Sequence, residues 1–278
     1  MTHKHLIKLI DLALAEDLGS GDLTTEAIFP QRYVGRAVVL ARESLVVSGF
    51  LAASTVFRRL SRACRFHPAV KEGARVHKGA KLADLSGPVR ALLCGERTAL
   101  NFLRHLSGVA TLTRAYVLEL KGTGCTLLDT RKTTPGMRAL EKAAVKAGGG
   151  TNHRMGLFDG VLIKDNHIIA AGSIEDAVAR VRKRAGSRMK IEVECSGIRQ
   201  VQAALDAGAD IVMLDNMSPK RMARAVEVIA GRAKTEASGR VTLKNIRKVA
   251  QTGVDYVSVG AITHSAPSVD IAMDMDLP

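Results

Sequence analysis

The chain has 278 residues, 46% of them apolar, and no low-complexity stretch, which excludes a disordered protein and leaves room for two domains or a barrel with an accessory domain. The formal net charge is +14, but the cations are spread along the chain and aromatics are only 3%, which argues against a nucleic-acid-binding face and leaves surface solubility or a small polyanionic ligand as its meaning. Cys64, Cys94, Cys125 and Cys195 show no zinc spacing, the N-terminus reads as an amphipathic helix and not as a signal peptide, and no apolar run approaches the ~20 residues of a bilayer span, so a cytoplasmic protein with reduced thiols and no membrane contact is expected.

In chain order, Leu6 to Ala15 has helical spacing of its apolar residues. Gly35 to Phe50 reads as one or two strands, and Leu51 to Cys64 as a helix with Val56 and Leu60 on one face. KEGARVHKGAKLADLSG alternates small apolar and polar residues around glycines, which predicts short strands and tight turns. From about residue 109 the pattern changes. β-type runs at Cys125–Asp129, Val161–Lys164, Lys190–Glu194, Ile211–Asp215, Ala233–Glu236 and Asp255–Val259 alternate with amphipathic stretches such as IEDAVARVRKRAG and PKRMARAVEVIAG. Such alternation predicts a parallel sheet with helices outside it, and six strands predict a β/α barrel that is open.

Polar or glycine residues stand at the end of each of these six strands. In a parallel barrel all strand C-termini open on one face, so these residues converge on one polar mouth. The first strand runs into Arg131 and Lys132, two cations suited to carboxylate or phosphate, although a solvated basic loop would read the same way. GGGTNHRMGLFDGVLIKDNH (148–167) carries three glycines that allow close backbone approach, then His153, Arg154 and Lys164. Glu194 and Asp215 end their strands, either neutralising these cations or facing Mg²⁺ or a developing positive charge. EASGR (236–240) and VSVGAITHSA (257–266) supply glycine turns of the kind that bind phosphate after late barrel strands. Earlier, GERTALNFLRHLSGVAT (95–111) puts Arg97, Asn101 and Arg104 on one helix face, which alone would be read as solvated.

These segments, with AEDLGSGDLTT near the N-terminus, occur in an order that resembles the quinolinate phosphoribosyltransferases over nearly the whole chain. The resemblance implies an α/β fold with an N-terminal α/β sandwich domain (1–108, with residues 266–278 packing back on it). The second domain implied is a C-terminal open, incomplete parallel α/β barrel (109–265). It implies a homodimer whose N-terminal domain lends residues to the partner's barrel, or a larger assembly of such dimers. The implied reaction joins quinolinate to phosphoribosyl pyrophosphate (PRPP) and gives nicotinate mononucleotide, pyrophosphate and CO2. Carried over residue by residue, the quinolinate site falls on Arg97 (from the other subunit), Arg131, His153 and Arg154. Lys132 and Lys164 fall where both substrates are contacted and, with Glu194 and Asp215, where the catalytic groups lie. Glu194 and Asp215 match the acidic pair near the ribose and Mg²⁺, acting directly or through water. Ser238, Gly239 and Gly260 match the phosphate-binding turns. Related enzymes that use nicotinate release no CO2; the crowd of cations suits two carboxylates better than one.

Overall fold

The computed structural model describes residues 3–186 and 188–276. In chain order its elements begin with α1 (His3–Leu18), α2 (Leu23–Ile28), β1 (Val34–Ala41), β2 (Leu45–Val46), α3 (Phe50–Leu60), β3 (Arg65–Pro68) and β4 (Arg75–Val76). They continue with β5 (Lys81–Pro88), α4 (Val89–Glu119), β6 (Thr126–Leu128), α5 (Arg138–Ala147), β7 (Val161–Ile163), α6 (Asp165–Ala171), α7 (Ile174–Ala185) and β8 (Ile191–Cys195). The last are α8 (Ile198–Asp206), β9 (Ile211–Asp215), α9 (Pro219–Ile229), β10 (Lys234–Ser238), α10 (Ile246–Ala250), β11 (Tyr256–Ser258), α11 (Ala261–His264) and β12 (Ile271–Asp276). Among the described residues no helix is long and apolar enough to cross a membrane. The chain divides into two compact units: Met1–Arg114 with Thr134–Gly149 and Ser265–Pro278, and Ala115–Thr133 with Gly150–His264.

The first unit is built on an antiparallel sheet of order β12-β1-β5-β3. Alternate residues of β1 (Ala37, Val39 and Ala41) are buried, so one face of the strand forms core. Leu6, Ile10 and Leu14 recur at helical spacing on α1 and are buried, and α1 packs on α3. Phe57 of α3 stacks on Phe66 of β3 at 6.3 Å between ring centres. The predicted run Gly35–Phe50 forms β1 and β2 and ends at Gly49, whose φ of +109° turns the chain into α3. The Glu72 carboxylate accepts the N–H groups of Gly49 (2.6 Å) and Phe50 (3.3 Å), satisfying donors that the start of α3 leaves over. β12 lies beside β1 with Val39 opposite Met273, and Arg104 of α4 donates to the Val269 carbonyl at 3.0 Å just before it.

The second unit holds a six-stranded parallel sheet of order β6-β11-β10-β9-β8-β7. Thr151 forms a parallel bridge with Leu128 and extends the sheet past β6; β6 and β7 do not pair, so the sheet is open. The strands are those the sequence pattern predicts, and the longer helices between them bury one stripe, such as Ile174, Ala177 and Val178 on α7 or Met222, Ala225 and Ile229 on α9, while the short α6 buries none. Ser173 caps α7 by accepting the Asp176 N–H at 3.0 Å, and the basic run Arg182–Arg184 closes it, where cations suit the helix dipole. Lys183 and Arg184 are exposed, while Arg182 pairs with Asp210 at 2.8 Å and donates to the Met189 carbonyl.

In the glycine run 148–150, Gly148 and Gly149 have packing and turning duties of their own. A Cβ on Gly148 would stand 2.7 Å from the Thr113 Cβ, and Gly149 leaves α5 with φ of +92°.

Candidate active site

All six strands of the second unit run the same way, so their last residues and the loops after them share one end of the sheet. Those residues line a cleft of about 460 Å³: Thr130, Arg131, Lys132, His153, Arg154, Leu162, Lys164, Glu194, Met213, Asp215, Glu236, Ser238 and Ser258. Of the residues singled out in the sequence, Arg131, Lys132, His153, Arg154, Lys164, Glu194, Asp215 and Ser238 are brought together here. Gly239 and Gly260 stand next to the lining. Arg97 lies elsewhere, on the exposed face of α4 in the first unit.

Short hydrogen bonds fix the lining. The Lys132 N–H donates to Thr130 Oγ1 (3.0 Å), and its carbonyl accepts the Thr263 hydroxyl at 2.7 Å, so the main chain under this lysine is held at both ends. Gly260 leaves space for the lysine stem: a Cβ there would stand 3.0 Å from Lys132 Cδ. Lys164 Nζ pairs with Glu194 Oε2 at 3.2 Å. Asp215 Oδ2 accepts from Asn216 Nδ2 at 2.7 Å, and Asn216 itself adopts φ of +51° with its N–H on the Ser238 carbonyl. Gly239, at φ of +94°, lies against the Asn216 side chain, whose Cγ would be 2.6 Å from a Cβ at 239. The carboxylate of Asp215 and the turn after β10 are thus one assembly.

Around His153, in and beneath the lining, stand three carboxylates that the sequence pattern did not assign to the site. Asp129, wholly buried, accepts the His153 N–H at 2.8 Å. Glu192 and Glu236 are 4% and 1% exposed, and their Oε2 atoms lie 3.0 and 3.5 Å from His153 Nε2. The other ring nitrogen, Nδ1, accepts the Arg154 N–H at 2.8 Å. Burial disfavours a charge on His153, and the two carboxylates more than reverse this and favour one. The Arg154 amide makes the opposite demand, because it needs Nδ1 without a proton. Burial raises Glu192, His153 draws it back, and Glu236 adds a like charge, leaving it at about 7. The signal that could have found Glu192 was period two: in Ile191–Cys195 it faces the same way as Glu194, one step further from the mouth. Glu236 stands in the same relation to Ser238.

Charge in the cleft suits anions. Arg131, Lys132, Arg154 and Lys164 face Glu194, Asp215 and the buried Glu236. Burial, and then the positive charge of Arg131, lower the pKa of Arg154, so an anion between the two arginines would relieve their repulsion. Glu194 and Asp215 offer hard carboxylate oxygens beside the Ser238 side chain, a donor set that fits a hydrated Mg²⁺. The cysteines take no part: Cys195 is buried, and burial pushes its thiol up to about 12.

Comparison with known proteins gives the same picture over the full length. Residues 22–107 match the quinolinate phosphoribosyl transferase N-terminal domain, and residues 109–274 match the C-terminal domain of that family. A probable nicotinate-nucleotide pyrophosphorylase (carboxylating) of Bacillus subtilis is 44% identical over 277 residues, which cover 100% of this chain and 96% of the relative. Quinolinate phosphoribosyltransferase (decarboxylating) 1b of Nicotiana tabacum is 40% identical, covering 96% of this chain and 81% of its own. The crystal structure of NadC from Streptococcus pyogenes superposes with a TM-score of 0.94 at 40% identity, covering 99% of this chain and 98% of that one. With both domain models matched in order and relatives this similar from end to end, the chain belongs to the quinolinate phosphoribosyltransferase family.

Proposed function

We infer that this protein transfers the phosphoribosyl group of PRPP to quinolinate with loss of CO2, giving nicotinate mononucleotide and pyrophosphate for de novo NAD biosynthesis. The observation that carries this reading is the cleft of about 460 Å³ in which Arg131, Lys132, Arg154 and Lys164 face Glu194 and Asp215. Two polyanions need several cations, and a reaction that passes through a cationic ribose needs carboxylates beside them. Forked guanidinium groups match the two carboxylates of quinolinate better than point charges do. Arg131, Arg154 and His153 are accordingly assigned to quinolinate, with Arg97 contributed by the other subunit of a homodimer.

Lys132 and Lys164 neutralise phosphate oxygens and hold the two substrates in line. Ser238, Gly239 and Gly260 offer turns for phosphate. As the ribose–pyrophosphate bond loosens, Glu194 and Asp215 stabilise the positive charge that grows at C1 of the ribose. The pyridine nitrogen of quinolinate then bonds to C1. When the neighbouring carboxylate leaves as CO2, the electron pair of the broken C–C bond stays on the ring carbon, stabilised by the adjacent cationic nitrogen, and a proton from solvent then takes the vacated position. Bound at Glu194 and Asp215, directly or through water, Mg²⁺ would offset the charge of the departing pyrophosphate. Residues 1–108 are assigned as the domain that serves the partner's site and 109–265 as the catalytic domain, in a cytoplasmic enzyme.

The test is to mix protein, quinolinate, PRPP and Mg²⁺ and to follow nicotinate mononucleotide and labelled CO2 together. Both should form, and both should vanish without PRPP. Turnover of nicotinate without CO2, or no product at all, would overturn the reading.

A further inference from the structure

His153, in the floor of the cleft, has both ring nitrogens engaged by the protein itself. Nε2 faces the two buried carboxylates, and Nδ1 accepts the N–H of the next residue. Turning the ring over would put carbon against both the amide and the glutamates, so the orientation is fixed from two sides. The ring nitrogen and the carboxylate oxygens lie within 4.8 Å of one another. The backbone of the same residue is held by Asp129, and the guanidinium of Arg154 by its Nη1–H to the Gly160 carbonyl at 3.1 Å. With the Arg154 N–H directed at Nδ1, the geometry calls for an unprotonated Nδ1 and a ring proton on Nε2, against the charge that the two carboxylates favour.

We propose that Glu192 and Glu236 are positioning residues for substrate binding: through the Nε2–H of His153 they lock residues 153 and 154 and aim the Arg154 guanidinium into the cleft. The proposal rests on the reading that Arg154 holds quinolinate. It also changes the part of His153, which presents ring carbon to the substrate and spends no nitrogen on it. Two carboxylates buried beneath a cationic cleft would otherwise be an unexplained cost. Here they hold the arm that carries one of its arginines.

Two measurements test this. In ¹⁵N-histidine-labelled wild-type protein at pH 7, the His153 signal, assigned by its loss in His153→Gln, should show a protonated Nε2 and an unprotonated Nδ1. It should keep that form when quinolinate is added. In steady-state assays Glu192→Gln and Glu236→Gln should raise KM for quinolinate roughly ten- to a hundredfold, the size expected for losing a charge-assisted hydrogen bond, with KM for PRPP little changed. An imidazolium, or a proton on Nδ1 in the quinolinate complex, would overturn the proposal. So would a loss shared equally by both substrates, which marks a merely structural role. Should the variants fail to fold, the wild-type spectrum still decides. If wild-type protein makes no nicotinate mononucleotide, the functional reading fails, while the ring's form is measured independently of it.

Discussion

Lys164 and Glu194 meet at 3.2 Å because β7 and β8 are parallel neighbours in a register that sets Ile163 against Val193. The next residue of each strand therefore arrives at the same height at the cleft mouth. The pair is partly open to water, with the lysine side chain 48% exposed, so it adds little stability. Lys164→Ala should change Tm by no more than a degree or two, about what a pair worth under ~1 kcal/mol allows. Its kcat/KM should fall roughly 10²- to 10³-fold if the ammonium faces charge in the transition state. Parallel melting and steady-state kinetics check both halves; a large Tm loss with normal kcat/KM would make the pair structural.

Arg131 and Arg154 are assigned a task that needs two parallel donors on each. Arg131→Lys and Arg154→Lys keep the charge and lose the fork. Each should raise KM for quinolinate by about tenfold or more, since hydrogen bonds to charged groups are worth ~1.5–3 kcal/mol. Isothermal titration with quinolinate measures this directly, and unchanged affinity in both variants would remove the arginines from the quinolinate site.

Asp255, just before β11 and so at the end of the strand away from the cleft, gives a pH test of the fold. Burial pushes its carboxyl up, but Lys234 Nζ at 2.6 Å and the Thr235 N–H and hydroxyl outweigh it and hold the carboxyl below its usual value. A pKa depressed on folding stabilises at pH values above the unfolded one and ceases to do so as pH falls through the folded one. Asp255→Asn should therefore lower the denaturation midpoint at pH 7, and the gap from wild type should close below about pH 4, near the ordinary carboxylate range. A gap independent of pH would point to packing and not to charge.

Gly239 carries two demands at once: a left-handed φ and the Asn216 side chain where a Cβ would go. Gly239→Ala should cost about 1–3 kcal/mol, the range for a residue forced into such a conformation with a clash. In the double variant with Asn216→Ala the clash is gone and the φ penalty stays, so the loss should be less than the sum of the two single losses. Urea unfolding of the four proteins supplies the cycle, and strict additivity would show that the two residues do not share this space.

How much of the molecule could be read from its sequence depends on how local each signal is. The six parallel strands were legible because each is a short apolar run whose polar end falls at the mouth. The cleft cations were legible for the same reason: Lys164 directly follows β7, and Arg131 and Lys132 stand within four residues of the end of β6. Glu192 was not, because a carboxylate between Ile191 and Val193 reads as one polar step in a strand; only its contact with His153, 39 residues earlier, shows its use. The packing duty of Gly148, in the run before His153, was hidden for a related cause. Its small size serves a helix packed behind it, and no pattern within the run says which side the close neighbour is on. β12 had no local signature either: IAMDMD forms a strand beside β1, more than 200 residues away in sequence, with Arg42 and Asp274 paired at 2.9 Å across it.

That pairing sets an order on synthesis. When a ribosome has made everything up to Arg114, the edge of β1 still shows bare N–H and C=O groups, since Ile271–Asp276 has yet to be translated. The parallel sheet, encoded between Thr126 and Ser258, has all its strands translated before Ile271–Asp276. The half of the molecule translated first is therefore the half that receives its last strand at the very end. Until it does, the nascent chain offers an open strand edge for chaperones, or for a second nascent chain, to occupy.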